Sequence, residues 1–412
     1  MTIDLRRVAS VACSIAIAGW LLCSCGHSGG GSTHVVDSDA LDSIPDIVYD
    51  VTYEAKAWAD SMLSTMTTEE KIGQLFMPAV YATADAATMQ TVRSWIEDSR
   101  IGAVMMLRGD LESASRLSRF IDSLSTVRPL VAIDAEWGLG MRLKDAPVFP
   151  ANGLIDGSVT AETMHEYGAE VARQCRLAGI NVVLGPVLDV SPASGKGVMG
   201  NRTLGSDPER VAALGVAYAR GLEEGDVMSV AKHFPGHGSP SGDSHRTLPV
   251  IDRSLEALRN CDLIPFERYV SAGLSGIMVG HLAVPSIDPR RRPAAVSPVV
   301  MQDLLREDMG YRGLVLTDAL NMEGASGYGA VEALRAGADI IVAPAEVGPE
   351  IHIVNEAVHD GRLPIGTVDD RCRRVLFYKY LVSVPAPGSL GEVNTIHSAR
   401  IAERLRGEDP AK

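Results

Sequence analysis

The chain has 412 residues, 46% of them hydrophobic and 22% charged, which excludes bulk disorder and leaves ample apolar material for one large domain or two ordinary ones. A net charge of −14 argues against a nucleic-acid partner, because phosphate backbones are held by clustered Lys and Arg. Neutral or compact ligands suit this surface better.

The first segment, residues 1–24, reads as an export signal. Arg6 and Arg7 precede an apolar run from Val8 to Leu22 that is too short for a comfortable membrane span. Leu22-Cys23-Ser24-Cys25 resembles a lipobox, in which a small residue precedes the Cys that becomes acylated in a bacterial lipoprotein. Cys25 is the expected lipidation site, with a plain secretory peptide as the alternative. Either implies export to the bacterial cell envelope, with the lipid anchor tying the protein to a membrane and facing the periplasm or the cell surface. Residues 25–46, with the Gly/Ser-rich stretch Gly26 to Ser32, read as a flexible tether. Cys13 and Cys23 would leave with the signal, so Cys175, Cys261 and Cys372 are expected as buried thiols rather than as a disulfide framework.

Residues 47–384 alternate strand-like apolar runs with helical patterns, the sequence form of βα units and a parallel sheet. Strands are predicted near Gly73–Pro78, Ala103–Leu107, Leu130–Ile133, Val182–Leu184, Val227–Ala231, Gly276–Val279, Leu314–Leu316 and Ile340–Val342. Eight units in one domain predict an α/β fold, a closed (β/α)8 barrel of the TIM type. Thr67-Thr68-Glu69-Glu70 and Ser206-Asp207-Pro208-Glu209 read as capping boxes, and Gly179, Gly225, Gly273 and Gly337 as helix ends. Residues 385–412 read as a polar, partly helical tail, too short for a second domain, and a monomer is expected.

In such barrels the loops after the strands build the site. Here Asp134 follows the third run, Lys232-His233 the fifth, His281 the sixth and Asp318 the seventh. One polar residue at a strand end is usually a cap. Four such ends are hard to attribute to capping, because burying ionisable groups together is costly unless they serve one another or a ligand.

The segment Lys232-His233-Phe234-Pro235-Gly236-His237-Gly238, followed by Asp243-Ser244-His245, resembles the signature of glycoside hydrolase family 3, in its β-N-acetylhexosaminidase subgroup. Further matches are Ile133-Asp134-Ala135-Glu136 with Arg142, Gly200-Asn201-Arg202-Thr203-Leu204-Gly205, and Thr317-Asp318-Ala319-Leu320-Asn321-Met322. The resemblance implies a retaining, exo-acting β-N-acetylglucosaminidase acting on a carbohydrate, through a covalent glycosyl-enzyme and without cofactor or metal. It implies Asp318 as nucleophile and His245, held by Asp243, as general acid/base. Asp134, Arg142, Arg202, Lys232, His233 and His281 would bind the sugar. On the residues alone, alternatives stay open: Arg142 as a surface residue, Arg202 pairing with Asp189 or Asp207, and His237 as a brace for its loop. Amides of a helix N-terminus after Asp318 are expected to help keep it ionised. Trp137 stands where the family usually has Gly, either stacking on a sugar face or filling a gap beneath the loop.

Three rival readings have discriminating features. A metal-dependent barrel hydrolase could draw on His233, His237, His245, His281, Asp243 and Asp318, but the end of the first strand reads Met77-Pro78-Ala79-Val80 rather than His-x-His. Insensitivity to a strong chelator would separate it. A non-catalytic sugar-binding lipoprotein would not retain Asp318 together with Asp243 and His245. A β-glucosidase or β-xylosidase of the same family would share the nucleophile, but the Asp-x-His pair marks the hexosaminidases.

Overall fold

The computed structural model describes residues 46–192, 197–237, 248–325, 327–382 and 388–408. The export signal, Cys25, the tether as far as residue 45, Asp243 and His245 lie outside the described residues.

All eight expected strands are present. The first is divided at Pro78 into β1 (Phe76–Met77) and β2 (Ala79–Ala82), followed by β3 (Ala103–Asp110) and β4 (Leu130–Ile133). A two-residue strand that the sequence does not announce, β5 (Leu143–Lys144), pairs with the end of β3. Then come β6 (Val182–Val183), β7 (Met228–Phe234), β8 (Gly276–Val279), β9 (Leu314–Thr317) and β10 (Ile341–Val342). The pairings are parallel and run β2-β3-β4-β6-β7-β8-β9, while β1 pairs with β10. A bridge from Leu316 to Ile340 links β9 to the start of β10. This is a curled parallel α/β sheet with helices in most of the connections between strands. Every residue of β4, β6, β7, β8, β9 and β10 is buried, as a sheet covered on both faces requires.

Two helices pack backbone against backbone. Ala161–Ala178 and Pro208–Glu224 approach so closely that a Cβ on Gly168 would lie 2.1 Å from the Tyr218 carbonyl oxygen, and one on Gly221 equally close to that of His165. Only glycine permits that contact. It sets Tyr218 so that its hydroxyl donates to the Ala135 carbonyl at 3.0 Å, between Asp134 and Glu136. The capping box at Thr67 and Glu70 forms as expected, whereas at the second site the cap is Asp207, not Ser206, with Pro208 opening the helix. Glu209 is then one position too early to reach back, so no box closes there. Gly225 ends its helix at φ −89°, without the left-handed turn seen at Gly179.

The tail is not a loose appendage. Its helix Ile396–Leu405 buries Ser398, Ile401, Ala402 and Leu405, and Ser398 donates to Glu170 at 2.6 Å. An apolar stripe at helical spacing, read from sequence as a polar tail, finds a partner face on Ala161–Ala178. Cys175 and Cys372 are buried free thiols, and Cys261 is half-buried.

Lys379, on the helix Ile365–Leu381, is 6% exposed and donates to Gln74 Oε1 at 2.5 Å. An amide does not compensate a buried ammonium, so burial pushes its pKa down to about 7 from an ordinary 10.5. Between those values the unfolded chain binds the proton and the folded chain does not, so stability should rise with pH across that window and level off below it. Lys379→Met is expected to flatten the rise and to gain up to about 4 kcal/mol at neutral pH. Urea denaturation at about pH 7 and pH 9.5 measures this, and an unchanged pH dependence in the variant would reject it.

Candidate active site

Strand ends from one edge of the sheet supply the cluster. Asp134 and Glu136 follow β4, Asp189 follows β6, Lys232 and His233 close β7, and Asp318 follows β9. Asp134 accepts from Lys232 Nζ at 2.7 Å and from Arg142 Nη2 at 2.5 Å. Arg142 is held by the unannounced strand: its carbonyl accepts from the Gly109 amide at 3.2 Å, immediately before β5. Arg142 is half-buried against Asp134 rather than free on the surface. Arg202, on the short turn Gly200–Arg202, has its carbonyl pinned by Asn152 Nδ2 at 2.8 Å.

Neither Asp189 nor Asp207 pairs with Arg202. Its guanidinium forks onto Glu136, Nε to Oε2 at 2.9 Å and Nη2 to Oε1 at 2.7 Å, and Glu136 also takes Lys232 Nζ at 2.8 Å. Asp189 instead accepts from the His233 ring at Nδ1, 2.7 Å, and from the backbone amides of His233 and His237 at 3.2 and 2.6 Å. An ionised carboxylate only accepts, so His233 carries a proton on Nδ1, while its Nε2 lies 3.4 Å from Arg202 Nη2. His237 packs its ring edge-on to His233, centroids 5.7 Å apart, and its amide ties the loop to Asp189, as a brace would.

Burial opposes the charge on each of these groups, and the neighbours reverse it. The cations Lys232 and Arg142 hold Asp134 below the usual carboxylate range, and Lys232 and Arg202 hold Glu136 well below it. Lys232 and Arg202 are pushed up in return. Three cations and two carboxylates thus remain charged together.

Asp318 donates its amide to the Val279 carbonyl at 2.9 Å, and its Oδ1 accepts from the Ala319 amide at 2.8 Å. No α-helix begins at this point, contrary to expectation: the chain turns through Glu323–Ala325 and the next α-helix starts at Ala330. Burial raises the Asp318 pKa, but His233, His281, that single amide and Lys232 outweigh it and keep the carboxylate below its ordinary range. His281 has no exposed surface, and its Nε2 donates to the Ala319 carbonyl at 3.0 Å, so it braces the backbone beside Asp318 rather than facing an open pocket. Trp137 is half-buried.

The structure brings Asp134, Arg142, Arg202, Lys232, His233 and Asp318 together, and adds Glu136 and Asp189 to the cluster. Both had a signal: a carboxylate within a few residues of the end of an apolar run. Among the described residues, no group of three or more His, Cys, Asp or Glu side chains is arranged to hold a metal.

Residues 67–377 match the glycosyl hydrolase family 3 N-terminal domain. A β-hexosaminidase of Neisseria meningitidis is 34% identical over 283 residues, covering 65% of this chain and 76% of that one. A glycoside hydrolase family 3 β-N-acetylglucosaminidase from Paenibacillus superposes with a TM-score of 0.74 at 29% identity, over 83% of this chain and 68% of that one. A family 3 member from Mycobacterium smegmatis, 32% identical, superposes with a TM-score of 0.68 over 77% of this chain and 98% of that one. With a match spanning most of the catalytic region and ionisable residues gathered at its strand ends, the chain belongs to glycosyl hydrolase family 3.

Proposed function

We propose that this protein is a retaining, exo-acting β-N-acetylglucosaminidase that removes terminal β-linked N-acetylhexosamine from cell-wall fragments or other oligosaccharides. The observation that carries the reading is the convergence of Asp134, Arg142, Arg202, Lys232 and His233 beside an ionised Asp318. A sugar loses its water on binding, and such a set of charged donors and acceptors returns the hydrogen bonds. Asp318 attacks the anomeric carbon, forming the glycosyl-enzyme as the leaving oxygen takes a proton from His245. The same His, oriented by Asp243, then deprotonates the water that releases the sugar. No cofactor or metal takes part.

The barrel reading is supported by the pairings themselves, which run from β2 round to β9, across the Leu316–Ile340 bridge to β10, and back to β1 beside β2. On this reading the strands form a TIM-type (β/α)8 ring, and the cluster stands at the C-terminal ends where such barrels keep their sites. Product analysis on a panel of defined GlcNAc-containing oligosaccharides tests the function. Release of single GlcNAc residues from non-reducing ends is expected, and cleavage of β-glucosides or β-xylosides in preference would overturn it.

The proposal includes a lipid anchor at Cys25, motivated by Leu22-Cys23-Ser24-Cys25. Expression in a bacterial host should give membrane-associated, lipid-labelled protein, and Cys25→Ser should lose the label. Wild-type protein recovered wholly in the periplasmic fraction without label would refute the anchor.

A further inference from the structure

Glu136 is buried, and both of its carboxylate oxygens accept from two cations that the proposed function assigns to the sugar. A buried ion pair of this kind is weak evidence for stability, because desolvation offsets most of its Coulombic gain. What it supplies is direction. Arg202 spends Nε and one Nη2 hydrogen on Glu136, and the other Nη2 hydrogen faces His233 Nε2 at 3.4 Å. Among the described residues its Nη1 meets only the Met199 sulfur, at 3.8 Å, a weak acceptor. The planar fork is thereby fixed with its Nη1 edge as the donor left for a ligand.

Lys232 is aimed by the same carboxylate. Of its three ammonium hydrogens, Asp134 Oδ1 takes one at 2.7 Å and Glu136 Oε1 a second at 2.8 Å, leaving one. We propose that Glu136 is a positioning residue, acting chiefly through Arg202, whose Nη1 edge it presents to the bound N-acetylhexosamine, with a smaller share through Lys232, which Asp134 also holds. The inference rests on the hexosaminidase reading.

The test is a double-mutant cycle of Glu136→Gln and Arg202→Met, read as kcat and KM on an aryl β-N-acetylglucosaminide, with a thermal midpoint for each variant. Glutamine keeps the shape but gives up the charge that holds both cations. Glu136→Gln should lower kcat/KM by about 10- to 100-fold, mainly by raising KM, and in the Arg202→Met background the same change should cost about threefold or less. Full additivity, or unchanged kcat/KM in Glu136→Gln, overturns the assignment. Should Glu136→Gln fail to fold, comparing Arg202→Met with the double variant still decides: near-equal kcat/KM supports the role, and a further tenfold loss overturns it. Absence of turnover by the wild type would defeat the proposed function instead, and the cycle is then read by GlcNAc binding in calorimetry with the same outcomes.

Discussion

Asp318→Asn should reduce turnover of every β-N-acetylglucosaminide by at least about a thousandfold, whatever the leaving group. The carboxylate is the one acidic group at the end of β9. The Ala319 amide holds its Oδ1 at 2.8 Å, and His233, His281 and Lys232 keep it ionised against the effect of burial. An amide keeps the shape but is a far poorer nucleophile, so no covalent glycosyl-enzyme can accumulate. Steady-state rates on an aryl substrate and on a GlcNAc disaccharide, together with mass spectrometry of the trapped intermediate, measure both consequences. Near-normal turnover in the variant would remove Asp318 from the mechanism. Because the Asp318 pKa lies below the usual range, the wild-type enzyme should also keep its nucleophile ionised through mildly acidic conditions, losing it only as pH falls through that lowered value.

His245→Ala should fail differently, and the difference depends on the leaving group. Protonation of a poor leaving oxygen contributes about a hundredfold to ten-thousandfold in rate, so hydrolysis of GlcNAc disaccharides should fall by that factor. A nitrophenolate scarcely needs the proton, and its pre-steady-state release should be little changed. Steady-state turnover of the aryl substrate will still drop, because the same ring must activate water for the second step. Asp243→Asn should lie between the His245 variant and wild type, since it removes the charge that orients the imidazole but not the imidazole. An equal loss on aryl and sugar leaving groups during glycosylation would withdraw His245 as general acid.

The strand ends could be read directly because a parallel sheet covered on both faces needs contiguous apolar runs, and these run straight into polar residues where the chain leaves the sheet. Leu130–Ile133 followed by Asp134, and Leu314–Thr317 followed by Asp318, carry that pattern in consecutive residues. The capping box at Thr67 and Glu70 is likewise local. Glu136 was visible as a residue but not as a partner, because the cations it orients are 66 positions away at Arg202 and still farther along at Lys232. Asp189 and His233 are 44 positions apart and meet only when β6 and β7 lie side by side. Strand β5 is not legible in the sequence because two residues carry no periodicity, and its pairing with β3 places Arg142 beside Asp134. The helix Ile396–Leu405 has an apolar stripe, but its burial depends on a complementary face on Ala161–Ala178. Chemistry that depends on residue type and local order is therefore written along the chain. Charge pairing, ring tautomer and the choice of which donor stays free are set by distances between segments remote in sequence, and those distances exist only once the sheet has curled and its helices have packed.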